Sequence, residues 1–77
     1  MTEFKVGDRI IMVENSDAAK KGMIGTIVEI DGSVTVDFDL RFSGGHDCEG
    51  ASKEGCGQYI YGKRRFKLLS WKEVLKQ

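Results

Sequence analysis

Four residues in one stretch carry the side chains best suited to chemistry: His46, Asp47, Cys48 and Cys56. Together they could offer nitrogen, oxygen and sulfur to a tetrahedral zinc, whose binding energy would add directly to the folding of a small domain. The spacing argues otherwise, because His-x-Cys followed by seven residues and a lone Cys contains no paired Cys-x-x-Cys knuckle. Cysteine–histidine catalysis needs the imidazole close enough to take the thiol proton, with a third group orienting it. A glycine-rich loop gives His46 and Cys48 no rigid support for that geometry. Gly22-x-x-Gly25 lacks the following Lys-Ser/Thr of a phosphate loop. A short chain also has little wall with which to enclose a substrate pocket of roughly several hundred Å³. The sequence therefore assigns no catalytic residue, no metal ligand and no cofactor, and the expectation is a protein that is not an enzyme. Both thiols are expected reduced, since a disulfide across this loop would need a suitable geometry and compartment.

Aromatic and basic residues are better functional material. Tyr59 and Tyr61 alternate on what reads as a strand, after a long loop and before the basic run Lys63-Arg64-Arg65. Tyrosine and arginine suit contact surfaces because they desolvate apolar area while keeping a hydrogen-bonding tip. The candidate partner-binding residues are Arg41, Phe42, His46 and Asp47 from the loop with Tyr59, Tyr61, Lys63, Arg64 and Arg65. The same tyrosines could stack bases while the basic run, with Lys20 and Lys21, holds a nucleic-acid backbone.

The elements that must position these groups are short strands. Phe4, Val6 and Ile10 to Val13 read as a first strand. Ser16 to Gly22 reads as one helical turn, with Ser at its start, lysines at its end and a glycine following. Met23 to Ile30 reads as a second strand with Ile24, Thr26, Val28 and Ile30 on one face, and Gly25 suits a close backbone approach. Asp31-Gly32 predicts a type I′ hairpin turn. Beyond it Val34, Val36, Phe38 and Leu40 alternate with Thr35, Asp37, Asp39 and Arg41, predicting a third strand with one buried and one wet face. Residues 41 to 57 break the pattern with five glycines, and so long a connection is typically functional or mobile. Short strands resume at Gln58 to Tyr61 and Arg65 to Leu69. Ser70 and Glu73 then form a capping box, with Trp71, Val74 and Leu75 on one face of a terminal helical turn. Five strands, one tight hairpin and no crossover helix predict an all-β antiparallel barrel or sandwich closed on itself.

Size and charge bound the function. The chain has 77 residues, of which 40% are hydrophobic, which fits one small folded domain over residues 1–77. Its 12 Lys+Arg balance 12 Asp+Glu, and a neutral protein is not a general nucleic-acid binder. The charge is unevenly spread, with seven acids against two bases from Glu29 to Glu54 and six bases against one acid from Lys63 to Lys76. The longest apolar run, Ile10 to Val13, is too short to cross a bilayer, and residues 1–5 contain no apolar signal core. No membrane association is expected, and a cytoplasmic monomer is.

Val6-Gly7-Asp8-Arg9-Ile10 followed by Gly22-Met23-Ile24-Gly25-Thr26-Ile27-Val28-Glu29-Ile30 resembles the opening of SH3-like barrels, and looks most like KOW-type and CAP-Gly domains. The layout also looks like small barrel proteins carried by bacteriophages of the Bacillus YorP type. The resemblance implies an SH3-like five-stranded antiparallel barrel with a short C-terminal helical turn. KOW-type likeness would place Lys20 and Lys21 at an RNA or polymerase contact. CAP-Gly likeness would put Gly45 to Gly50 where those domains hold acidic tails, but the lysine of that loop is missing here. The resulting expectation is a non-enzymatic module, phage-encoded and acting in a host cytoplasm, that docks onto a protein through the loop 41–57 and its aromatic and basic neighbours. The alternative is RNA or DNA binding through residues 63–67 with Lys20 and Lys21.

Overall fold

Alternating apolar residues over a chain with no proline give five antiparallel strands in the computed structural model, which describes residues 4–69. They are β1 (Arg9–Met12), β2 (Ile24–Asp31), β3 (Ser33–Phe38), β4 (Gly57–Ile60) and β5 (Phe66–Leu68). The sheet runs in the order β4-β3-β2-β1-β5, so the strands nearest the two ends of the described chain, β1 and β5, lie side by side. One core cluster draws on every strand: Ile10 and Met12, Ile27, Val34 with Val36 and Phe38, Ile60, and Phe66. A single sheet that gives all five strands to one cluster must curl around it, which lets a small domain bury its apolar face. Curling stops short of closure, since β4 and β5 do not pair with each other. The fold is all-β and five-stranded as expected, with an open seam where a closed cylinder was anticipated.

Several local expectations change. Phe4 and Val6 precede β1 because Gly7 turns the chain at a φ of 98°. Phe4 still reaches the core, its ring centroid 4.7 Å from that of Phe66. Ser16 to Gly22 is not helical: Ser16 and Ala19 exchange backbone hydrogen bonds of 2.7 and 2.9 Å around Asp17 at a φ of 52°. That tight β-turn satisfies the groups a helical turn would have left to its cap. In β2 the buried residues are Gly25 and Ile27, so Ile24 and Thr26 share the opposite, half-buried face, and a register break between Ile27 and Glu29 disturbs the alternation beyond. At the hairpin only Gly32 takes a positive φ, 74°, so the turn is not type I′. Leu40 lies past the end of β3 and is 80% exposed, because the ladder that would turn it inward has ended. The terminal helical turn with Ser70, Trp71, Glu73, Val74 and Leu75 lies outside the described residues.

Gly25 does what its position in the sequence suggested. A side-chain carbon there would sit 2.7 Å from Val36 Cγ1, 2.8 Å from the Asp37 carbonyl oxygen and 2.9 Å from Phe38 Cα. Its missing side chain lets β2 and β3 come together over the core.

Candidate docking face

The long connection between β3 and β4, expected to be functional or mobile, is tied back to the sheet. Phe42 donates its amide to the Gly55 carbonyl at 3.0 Å and packs edge-on against Phe38, with centroids 5.4 Å apart. His46 exchanges backbone hydrogen bonds of 3.0 and 2.7 Å with Gly57. Lys53 grips Asp37 of β3 twice, through its amide at 3.2 Å and its ammonium at 2.8 Å. Between these ties a 3-10 turn at Cys48–Gly50 is capped by Asp47, whose Oδ1 accepts from the Glu49 amide at 3.1 Å. Thr35 was expected on a wet face, yet it is only 2% exposed in β3, between Glu29 and Tyr59. The loop itself stays largely exposed, at Arg41, Ser43, His46, Asp47, Glu49, Lys53 and Glu54 among others.

Chemistry at His46, Cys48 and Cys56 is set by this packing. Both cysteines are free thiols, each 4% exposed. Burial pushes the Cys48 thiol above its usual pKa, with hydrogen bonding by Ser52 opposing and the Asp47 charge adding to the rise. A thiol held protonated is a poor nucleophile and a poor metal ligand. The His46 Nδ1 accepts from the Cys48 amide at 3.0 Å, so that nitrogen serves the loop. Among the described residues no group of three or more His, Cys, Asp or Glu side chains is placed to hold a metal ion.

The aromatic and basic candidates come together only in part. His46 lies with its ring centroid 5.2 Å from that of Tyr59, the planes inclined by 47°. Loss of water around the Tyr59 phenol raises its pKa, and the nearby Cys48, Glu49 and Glu29 add to that shift. Tyr61 falls just beyond β4 and is 66% exposed. Lys63–Arg65 forms a second 3-10 turn in which Lys63 and Arg64 are exposed. Arg65 is turned to structural use: its Nε donates to the Tyr61 carbonyl at 3.2 Å, and a terminal nitrogen donates to the Asn15 carbonyl at 2.9 Å. Arg41 lies against Gly55, where a side-chain carbon would come within 2.7 Å of its Nε. It lines a shallow hollow of about 360 Å³ together with Gly45, His46, Asp47, Glu54 and Gly55. Phe42 is half-buried against the core and serves more as an anchor of the loop than as displayed surface. Lys20 and Lys21 are exposed on a separate turn. Asn15 links that turn to the basic one, since its side-chain oxygen accepts from the Lys21 amide at 2.8 Å and its carbonyl from Arg65.

Two features escaped the sequence reading. Asn15 had no signal beyond its place in a polar loop. An open cleft of about 530 Å³ lies between the segments 22–24 and 38–42, lined by Met23, Ile24, Phe38, Leu40 and Phe42 with Asp39 and Arg41 at its edge. Its only trace in the sequence was the alternation that ran on through Leu40 after the strand had stopped.

Comparison with known proteins adds one positive finding. No curated protein and no solved structure matches the chain. None of the comparisons connects it with KOW-type, CAP-Gly or YorP-type proteins. The family model of the Xrn1 SH3-like domain matches residues 2–61, a span that takes in β1 to β4 and the whole folded-back loop. With five antiparallel strands curled around one core and more than half of its length matched, the chain belongs to the Xrn1 SH3-like domain family.

Proposed function

We propose that this domain is a non-enzymatic docking module for another protein, and that the partner meets it on the face carrying His46, Tyr59, Tyr61, Lys63 and Arg64. SH3-like domains are typically non-catalytic binding modules and commonly mediate protein interactions, which supports the general reading. The observation that carries the specific one is Tyr61, a tyrosine 66% exposed at the end of β4. It stands between the His46–Tyr59 ring pair and the exposed Lys63 and Arg64. An aromatic anchor beside cationic tips is the composition that contact surfaces favour. Arg41 and Asp47 extend the face through the loop rim, while Phe42 and Arg65 hold its backbone in place. The reading includes a monomer in a host cytoplasm, where a phage-carried module would meet host machinery.

Affinity capture from the native cell with wild-type protein and with Tyr61→Ala/Arg64→Ala tests this. Loss of a co-purifying protein from the variant, with its thermal melt unchanged, supports the face. An unchanged set of captured proteins removes it.

A second reading, RNA or DNA binding, has a specific observation in its favour: Asn15 brings the Lys20–Lys21 turn next to the Lys63–Arg65 turn. Zero net charge weighs against it. Titration of a fluorescent oligonucleotide at low salt separates the two, because phosphate contacts would give an affinity that falls steeply as salt is added.

A further inference from the structure

Among the described residues the docking face ends in an unfinished sheet edge. β4 is the outermost strand on its side, and hydrogen bonding to β3 alternates along it. The Cys56 carbonyl accepts from Phe38, so Gln58 and Ile60, two and four residues on, also turn their backbone groups toward β3. Gly57 turns the other way and bonds both of its groups to His46. By the same alternation Tyr59 and Tyr61 present their N–H and C=O groups outward. The Tyr61 carbonyl is taken by Arg65, while no described residue hydrogen-bonds to the Tyr59 N–H, the Tyr59 C=O or the Tyr61 N–H. His46 thus begins a further strand opposite Gly57, and the loop leaves it after one residue, since Gly45 turns away to Gly55 and Gly44 to Ala18.

We propose that the partner of this face is an extended acidic segment of another protein, which adds to the β4 edge as a sixth strand beside Tyr59 and Tyr61. This rests on the docking reading above and specifies its mode. Main-chain hydrogen bonds to an exposed edge supply affinity, and side chains at alternate positions supply selectivity. Charge sets the acidic character and its place along the edge: Lys63 and Arg64 are exposed just past Tyr61, so the acidic residues of the segment belong at that end, while Glu49 and Glu29 lie near Tyr59 and favour neutral residues there. A second copy of this chain fits badly. Antiparallel pairing of β4 with β4 through the open groups sets either Tyr61 or Lys63 of one copy opposite Gly57 of the other, where His46 already sits.

The test uses isotope-labelled full chain and a capped synthetic peptide, acetyl-Glu-Asp-Val-Thr-Val-Thr-amide. Peptides with single N-methyl groups and a version with Lys-Lys in place of Glu-Asp serve as comparisons. Expected on titration are slowed hydrogen exchange at the Tyr59 amide and weakening by about tenfold when the peptide nitrogen facing Tyr59 is methylated, the worth of one main-chain hydrogen bond. The lysine version should bind more weakly. Tyr59→Pro deletes the outward donor where an edge strand tolerates proline, and should cost a similar factor. The N-methyl series keeps the test decisive should that variant fail to fold. Binding that moves Tyr61 and Arg64 signals but leaves Tyr59 exchange unchanged and ignores N-methylation overturns strand addition while sparing the docking face. No binding at millimolar peptide overturns the proposal as well, and the Tyr61→Ala/Arg64→Ala capture then judges the face separately.

Discussion

Gly57 shows how one missing side chain holds the docking face together. A carbon there would collide with Ser52 Oγ and lie 2.7 Å from Cys48 Sγ and 2.8 Å from the His46 carbonyl, so loop and strand meet only because glycine occupies the position. Gly57→Ala should destabilise the domain by about 1–3 kcal/mol, as overpacking does, read as a lower urea midpoint. The same crowding protects the thiols. Cys48, buried and held above its usual pKa, should react with iodoacetamide at pH 8 far more slowly in the folded protein than in urea, and equal rates would contradict the packing described. At this scale the sequence was legible where a residue's reason is local. Gly25 could be read because only glycine admits a neighbouring backbone so closely. Thr35 could not, because it is buried on the face that alternation assigns to water, and alternation carries no information about what packs over a strand.

Elements hold one another through few polar contacts, of which the firmest joins β1 to the chain just after β3. Arg9 donates to both carboxylate oxygens of Asp39 at 2.6 Å and to Thr26 Oγ1 at 2.9 Å. The hydrogen bonds from Arg9 lower the Asp39 pKa below its ordinary 3.8, partial burial opposing. A carboxylate with a depressed folded pKa stabilises above its unfolded value and loses that contribution as pH falls through the folded one. Both side chains are nearly half exposed, which limits the effect to roughly 1 kcal/mol or less. Asp39→Asn should therefore lower the urea midpoint at pH 7, and the gap from wild type should narrow as pH falls through the lowered folded pKa of Asp39 and close once its carboxylate is protonated. A gap that stays constant down the acid range would assign the loss to packing instead. Strand identities and order of appearance were readable from period-two alternation. The register break after Ile27 was not, since a bulge changes which residues face inward without changing composition.

The chain is neutral yet its charge is segregated along the sequence, with acids concentrated in 29–54 and bases in 63–76. The exposed Lys63 and Arg64 steer an approaching acidic partner more than they bind one, so association on the proposed face should slow with added salt while its final affinity changes less. Stopped-flow mixing at two ionic strengths with the captured partner checks this. Hydrogen exchange at the Tyr59 amide should not depend on protein concentration, because His46 blocks β4 from pairing with its own copy; slowing at high concentration would contradict that geometry. The pairing of β1 with β5 has a consequence for synthesis. Ile10 lies opposite Leu68, and Met12 opposite Phe66. While the ribosome is still making the middle of the chain, the first strand has only β2 beside it and one flank bare. The core cluster cannot gain Phe66 until almost all of the described sequence has emerged. A nascent chain stalled at Tyr61 should therefore remain open to protease, and one extended far enough to free Leu68 from the exit tunnel should become resistant in a single step.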